Sequence, residues 1–227
     1  MKTCILSIEQ SSSLAIALQH LNADDAIVAP TDTVYGVMCR FDRPQAIDKL
    51  YEIKGRPPEK AIPVLIGDPI QLTQLTPAPV SPVAQALAAQ FWPGPLTIVL
   101  PALPTLPGLL TAQQPTVGVR LPAHDWLRAL IRQSGPLAAT SANLSGQSEA
   151  HTVDEILTQL GGRLGLILAD AHLDQREQTA IQPSTVVAVE SADTIQSTVQ
   201  PTVRILRAGF IAQEVQQFLQ ERFSLPC

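Results

Sequence analysis

Short apolar runs alternate with helix-spaced amphipathic stretches along the chain, and this alternation limits its fold more than any other feature. The runs Ala26–Ala29, Ala61–Gly67, Leu96–Leu100, Thr116–Leu121, Leu137–Thr140, Leu164–Ala169, Ser184–Val189 and Val203–Leu206 are too short for stable helices and end in turn-forming residues. Helical spacing of apolar residues appears in Ser11–Leu21, Ala46–Ile53, Pro69–Leu75, Val83–Phe91, Trp126–Ile131, Val153–Leu160 and a C-terminal stretch carrying Val215, Phe218 and Leu219. Strands and helices mixed from end to end predict one α/β domain built on a twisted sheet. The Pro- and Leu-rich segment Pro101–Pro115 is expected to be an irregular loop.

Composition narrows the class. An apolar content of 45% with 15% charged residues excludes a largely disordered chain and a coiled coil. The net charge of −5 argues against a general nucleic-acid coat, so a polyanion site has to be local. The three cysteines, Cys4, Cys39 and Cys227, lack metal-type spacing and fit a reducing compartment, with Cys39 as a packing residue. The N-terminal apolar run is too short for a secretory signal, and no stretch reaches the roughly 18 apolar residues of a membrane span. A soluble, cytoplasmic protein with no membrane partner is therefore expected. His20, His124, His151 and His172 occur in unlike contexts, so no zinc site is expected. The phosphate loop GxxxxGK[ST] and the GxGxxG, HExxH and GxSxG motifs are absent.

Local chemistry concentrates in a few segments. In Lys54-Gly55-Arg56-Pro57-Pro58 a lysine and an arginine project from a stiff turn at the end of a helix. Arg grips phosphate or carboxylate with a planar fork and Lys acts as a point charge, so the pair suits an anion; a solvated basic helix end is the alternative. Arg120 lies within a strand, where burial requires either an anionic ligand or a structural ion pair. Leu137–Gly146 is a small-residue strand running into the turn Ser141-Ala142-Asn143, which lets a ligand approach the backbone closely or is a generic turn. The same choice applies to the hydroxyl-rich turn Pro30-Thr31-Asp32-Thr33-Val34-Tyr35-Gly36.

Seven segments, in order, closely resemble the YrdC-like threonylcarbamoyl-AMP synthase family. They are Pro30–Gly36, Lys54–Pro57, Phe91–Thr97, Val119–Pro122, Thr140–Gly146, Ser184–Val187 and Ile205–Gly209, within Ala26 to about Ile211. The resemblance is to the short form of the family. It implies a single YrdC-type domain over 1–211, with 212–227 as its C-terminal helix and tail, and an open twisted mixed sheet with helices around a large cationic cavity. It also implies that L-threonine, bicarbonate and ATP, with Mg2+ escorting the nucleotide, become L-threonylcarbamoyladenylate and pyrophosphate. The product would pass to a downstream tRNA-modifying transferase complex, and direct tRNA contact is an expectation of the same kind.

By this resemblance Lys54, Arg56, Ser141 and Asn143 are the catalytic set, with Arg56 and Ser141 also on the nucleotide. Thr33 and Arg120 would hold threonine, Arg120 through its carboxylate. Thr116, Ser184 and Arg207 would lie on the nucleotide side. The chain departs from the family pattern at Val64-Leu65-Ile66, where many relatives have a histidine, and at Ala188, where an acidic residue is usual. A Gly-rich turn is also missing between Asp170 and Pro183, where a lid over the phosphates would form. Two other classes fit part of the pattern: an RNA-binding module using the cationic cavity without catalysis, and a related carbamoyl-adenylate-forming enzyme that uses carbamoyl phosphate.

Overall fold

In the computed structural model, which describes residues 2–175, 182–190 and 202–224, the strands pair into one mixed sheet. Its strands are β1 (Cys4–Ser7), β2 (Ile27–Ala29), β3 (Gly36–Arg40), β4 (Val64–Leu65), β5 (Leu96–Pro101), β6 (Thr116–Arg120), β7 (Leu137–Ser141), β8 (Leu166–Ala169), β9 (Thr185–Glu190) and β10 (Thr202–Arg207). They lie in the order β1-β8-β2-β3-β7-β4-β6-β5-β9-β10. Parallel pairs (β1 with β8, β4 with β6, β5 with β9) mix with antiparallel ones (β3 with β7, β5 with β6, β9 with β10). This is the open mixed α/β sheet that the sequence predicts.

Each strand sends alternate side chains to opposite faces, so two cores form. On β2, Ile27 and Ala29 join one apolar cluster and Val28 the other; on β8, Leu166 and Leu168 divide from Ile167 in the same way. The smaller core is covered by α1 (Ser13–Asn22) and α5 (Asp125–Ser134), through Ala17 and Leu21 of one and Leu127, Leu130 and Ile131 of the other. The larger core takes Ala46, Ile47 and Leu50 of α2 (Pro44–Lys54) and Val83, Ala84 and Leu87 of α3 (Pro82–Phe91). Ile156 and Leu160 of α6 (Val153–Leu160) join it, as do Val215 and Leu219 of α8 (Ala212–Phe223). Two short helices, α4 (Gly108–Thr111) and α7 (Ala171–Asp174), complete the set.

This division positions a cavity. Strand register puts Leu65, Arg120 and Leu137 side by side on the face of the smaller core. Thr97 lies beside Arg120, because Ile98 pairs with Val119. Over β8, β2, β3 and β7 that face is filled by α1 and α5. Over β4, β6 and β5, and reaching onto β7 at Ala139, the same face carries residues that line an open cavity, among them Pro63, Leu65, Thr97 and Arg120.

Several expectations shift. The predicted strand Ala61–Gly67 pairs only at Val64–Leu65, because Pro63 has no N–H for the ladder. Pro69–Gln74 is a 3-10 helix, not an α-helix: Asp68 caps it by accepting from the Ile70 N–H, and Gln71 closes back on the Gly67 and Asp68 N–H groups. The expected irregular loop after β5 contains α4. The sequence reading missed β1 and β3. β3 opens on glycine within the turn-rich segment, and its first four residues are buried, leaving no polar–apolar alternation to detect. Cys39 is fully buried on β3, a packing position as expected.

Gly67 joins β4 to the smaller core because α5 passes so close that a Cβ there would sit 2.6 Å from the Arg128 carbonyl oxygen and 3.0 Å from the Arg132 nitrogen. Gly67→Ala is expected to push α5 outward and lower stability by about 1–3 kcal/mol, the usual range for overpacking, as read from urea unfolding midpoints. An unchanged midpoint would show that this contact does not set the position of α5.

Candidate active site

The C-terminus of α2 and the end of β7 meet at one buried ammonium. α2 stops where Gly55 adopts left-handed backbone angles (φ 57°, ψ 40°), and the Gly55 and Arg56 N–H groups bond the Glu52 and Tyr51 carbonyls. Lys54 thereby points inward and is 2% exposed. Its Nζ donates to the Ser141 carbonyl oxygen and, at 3.3 Å, to Asn143 Oδ1. The Lys54 carbonyl accepts from the Ser145 N–H at 2.9 Å, so main chain and side chain both tie the two segments together. Burial pulls the Lys54 pKa down to about 7, the Arg56 charge adds to that, and Glu149 opposes it.

Asn143 is fully engaged inside this junction. Its Oδ1 also accepts from Ser141 Oγ at 2.6 Å, while Nδ2 donates to the Leu144 and Gln147 carbonyls at 2.9 and 2.8 Å. The two carbonyls fix the orientation of the amide, since a flip would set oxygen against oxygen. Ser141 spends its only O–H on Asn143. It therefore presents lone pairs to the cavity, which suits a donor or a cation better than a phosphate oxygen.

Arg56 leaves the turn with Nε on the Lys60 carbonyl (2.9 Å) and Nη2 on the Ala61 carbonyl (2.7 Å), which aims its remaining N–H groups at the cavity it lines. Across the cavity, Arg120 is 6% exposed. Its Nε donates to the Gly94 carbonyl (3.1 Å), Nη1 to Thr33 Oγ1 (2.9 Å) and Nη2 to Asp32 Oδ1 (2.5 Å). Burial lowers the Arg120 pKa and Asp32 works against that. The Thr33 turn is itself held by Thr31, whose Oγ1 donates to the Val34 carbonyl and accepts from the Thr33 and Val34 N–H groups. On a third side Ser184 Oγ pairs with Thr97 Oγ1 at 3.0 Å, and Arg207 Nη2 donates to the Ser184 carbonyl (2.8 Å) and Oγ (3.0 Å). Arg56, Arg120 and Arg207 thus line one cavity together with the carboxylate of Glu149.

A family profile described as "Telomere recombination", the Sua5/YciO/YrdC profile, matches residues 19–209, most of the chain. The chain belongs to this family. It is 40% identical over 157 residues to a threonylcarbamoyl-AMP synthase of Bacillus subtilis, a match covering 68% of this chain and 45% of that protein. It is 36% identical over 161 residues to one of Vibrio vulnificus strain YJ016, covering 69% of this chain and 86% of that protein. Among solved structures, P. abyssi Sua5 complexed with L-threonine superposes with a TM-score of 0.77 at 30% identity, over 91% of this chain and 58% of that one. The chain thus spans less than half of the Bacillus relative and most of the Vibrio one.

Of the residues singled out from the sequence, Thr33, Arg56, Arg120, Ser141, Ser184 and Arg207 line this one cavity. Lys54 and Asn143 are placed differently from that expectation. They stand behind the wall, where burial commits Lys54 to Ser141 and Asn143, and commits the Asn143 amide to its own turn. Thr116 is not brought in. It shares a sheet face with Arg120 but sits at the opposite end of β6, exposed and beside Pro101, roughly 13 Å away at 3.3 Å per residue. Sequence reasoning missed Thr97 and Glu149 as lining residues. Thr97 ends the Phe91–Thr97 segment of the family resemblance but was given no site role, and Glu149 sits in a loop with no motif of its own. Leu65, within the Val64-Leu65-Ile66 stretch where the resemblance implies a histidine, gives the wall an apolar patch. The lid expected between Asp170 and Pro183 falls largely on 176–181, outside the described residues.

The depressed Lys54 pKa carries a stability signature. Between pH 7 and 10.5 the unfolded chain holds a proton on Lys54 that the folded chain has released. Stability due to this group therefore rises with pH across that window and is flat below it. Denaturation of wild type and Lys54→Met from pH 6 to 10 should show wild type gaining on the variant only above about pH 7. Parallel curves would place the Lys54 pKa near that of a solvated lysine.

Proposed function

We propose that the chain is a threonylcarbamoyl-AMP synthase, making L-threonylcarbamoyladenylate and pyrophosphate from L-threonine, bicarbonate and ATP for tRNA modification in the cytoplasm. The observation that carries this reading is the convergence of Arg56, Arg120 and Arg207 on one cavity, backed by the Lys54 ammonium, in a chain of net charge −5. A cavity of that kind suits a reaction that crowds anions together, and the names of relatives at 36–40% identity point to the same chemistry. Among the described residues no helix is long and apolar enough to cross a membrane.

In this reading the threonine amine and bicarbonate form a carbamate with loss of water. A carbamate oxygen then bonds to the α-phosphorus as the bond to pyrophosphate breaks. No protein nucleophile is needed, and the protein's contribution is positioning and charge neutralisation. Arg120 uses three of its five N–H groups on Gly94, Thr33 and Asp32. The two that remain belong to different Nη atoms and suit a carboxylate fork, with Thr33 beside it. Arg56 and Arg207 face the phosphates. Lys54 acts one layer back, holding Ser141 in place.

Magnesium would supply charge neutralisation of the nucleotide phosphates. Among the described residues no three His, Cys, Asp or Glu side chains converge into a protein-borne metal site. This fits a cation carried mainly by phosphate and water. The Ser141 hydroxyl, with its proton committed to Asn143, is the protein oxygen suited to face it. The product would be handed to a transferase acting on tRNA.

Pyrophosphate release is expected to require threonine and bicarbonate together, measured with each omitted in turn. Equal release from all mixtures overturns the synthase reading in favour of simple ATP hydrolysis. Arg120→Lys keeps the charge but loses the fork. It should weaken threonine binding about tenfold or more while leaving ATP binding near normal, as separated by calorimetric titration of each ligand. Loss of ATP binding with threonine binding intact would reverse the assignment of the two sides.

A further inference from the structure

Glu149 is the one carboxylate among the residues lining a cavity whose other charged groups are Arg56, Arg120 and Arg207. It lies in the loop between β7 and α6, half-buried, and is held at the wall from both sides. The preceding Ser148 carbonyl accepts from Gln159 Nε2 at 3.1 Å, and the following Ala150 is 1% exposed. Next, the His151 N–H donates to Glu155 Oε2 at 2.7 Å, and Thr152 Oγ1 caps α6. The backbone is therefore not free to carry Glu149 away. Among the described residues its carboxylate takes part in neither a hydrogen bond nor an ion pair, although it lines the same cavity as Arg56, Arg120 and Arg207. Its charge still reaches Lys54 and Arg207: burial pulls their pKa values down, and Glu149 works the other way on both.

A carboxylate without a hydrogen bond or ion pair among the described residues, held at the wall of a cavity lined by arginines, repels the anion those cations attract. We propose that Glu149 is an internal counter-ion that tunes the anion affinity of the cavity, steadying the phosphate-side cations before the nucleotide binds and weakening the hold on ATP and pyrophosphate. The proposal rests on reading this cavity as the nucleotide site. Under it Glu149 sets an affinity ceiling: the cations remain strong enough to neutralise charge during transfer, while the fixed negative group keeps the pyrophosphate product from being trapped. The sign is opposite to that of a residue contacting phosphate, whose removal weakens binding.

The test is calorimetric titration of full-length wild type and Glu149→Gln, which removes the charge and keeps the shape, with ATP and with pyrophosphate, each with and without Mg2+. Glu149→Gln should bind both anions roughly three- to tenfold more tightly in all four titrations, the scale of one partly screened charge at the wall of the site. The gain should shrink in high salt, and it should also shrink in an Arg207→Gln background, because the two side chains act on the same anion. A purely structural loop residue would show neither dependence. Unchanged or weaker binding by the variant overturns the proposal, and weakening confined to Mg2+ would make Glu149 a metal ligand instead. If wild type fails to bind ATP but binds pyrophosphate, the nucleotide reading falls while the pyrophosphate series still decides the role of Glu149. If it binds neither, both fall.

Discussion

The site depends on a charge placed where a charge is hard to keep. Lys54 ends α2 with its ammonium out of water, and an ammonium there is tolerated only if acceptors replace its hydration. The Ser141 carbonyl and Asn143 Oδ1 are those acceptors, and both lie in the turn that closes β7. The requirement runs both ways. Asn143 is oriented by Lys54, by Ser141 and by two carbonyls of its own turn, so a single amide links the helix end, the strand end and the start of the Glu149 loop. Residues that in sequence look like two separate ligand-binding segments are one hydrogen-bonded unit, and only part of that unit faces the cavity.

The sheet supplies the space. Because α1 and α5 cover mainly the part of one face formed by β8, β2 and β3, the same face toward β4, β6 and β5 is left to a mixed row of apolar and polar side chains. Register sets which ones: Leu65, Arg120 and Thr97 fall in one row across three strands. The arginines are oriented before any ligand arrives, Arg56 by two carbonyls of its own turn, Arg207 by Ser184, and Arg120 by Asp32, Thr33 and Gly94. Side chains fixed in this way lose little freedom on binding, which is the main physical advantage such a cavity has over mobile surface cations.

Much of the architecture was legible in the chain. The strands at Leu96–Pro101, Thr116–Arg120, Leu137–Ser141 and Leu166–Ala169 and the helices Pro44–Lys54, Pro82–Phe91 and Val153–Leu160 follow from apolar spacing bounded by Gly, Pro and Ser. β3 was not legible, because a strand buried on both faces loses the alternation that marks one. The split of the core into two faces was written in the period of β2 and β8 but needed the sheet to be seen.

For the site, the residue types alone determined that basic side chains end α2 and occupy β6. They also determined that a small-residue turn follows β7, since Ser, Ala, Asn and Gly dominate Ser141–Gly146. Tertiary structure decided which of these groups meet the cavity and which support it. Lys54 and Asn143 moved behind the wall, Thr116 moved out because three residues of extended chain separate it from Arg120, and Glu149 moved in from an unremarked loop. The reason is physical: a side chain's type states what it is able to bind, but whether it is free to bind depends on the acceptors, register and burial that distant segments bring to it.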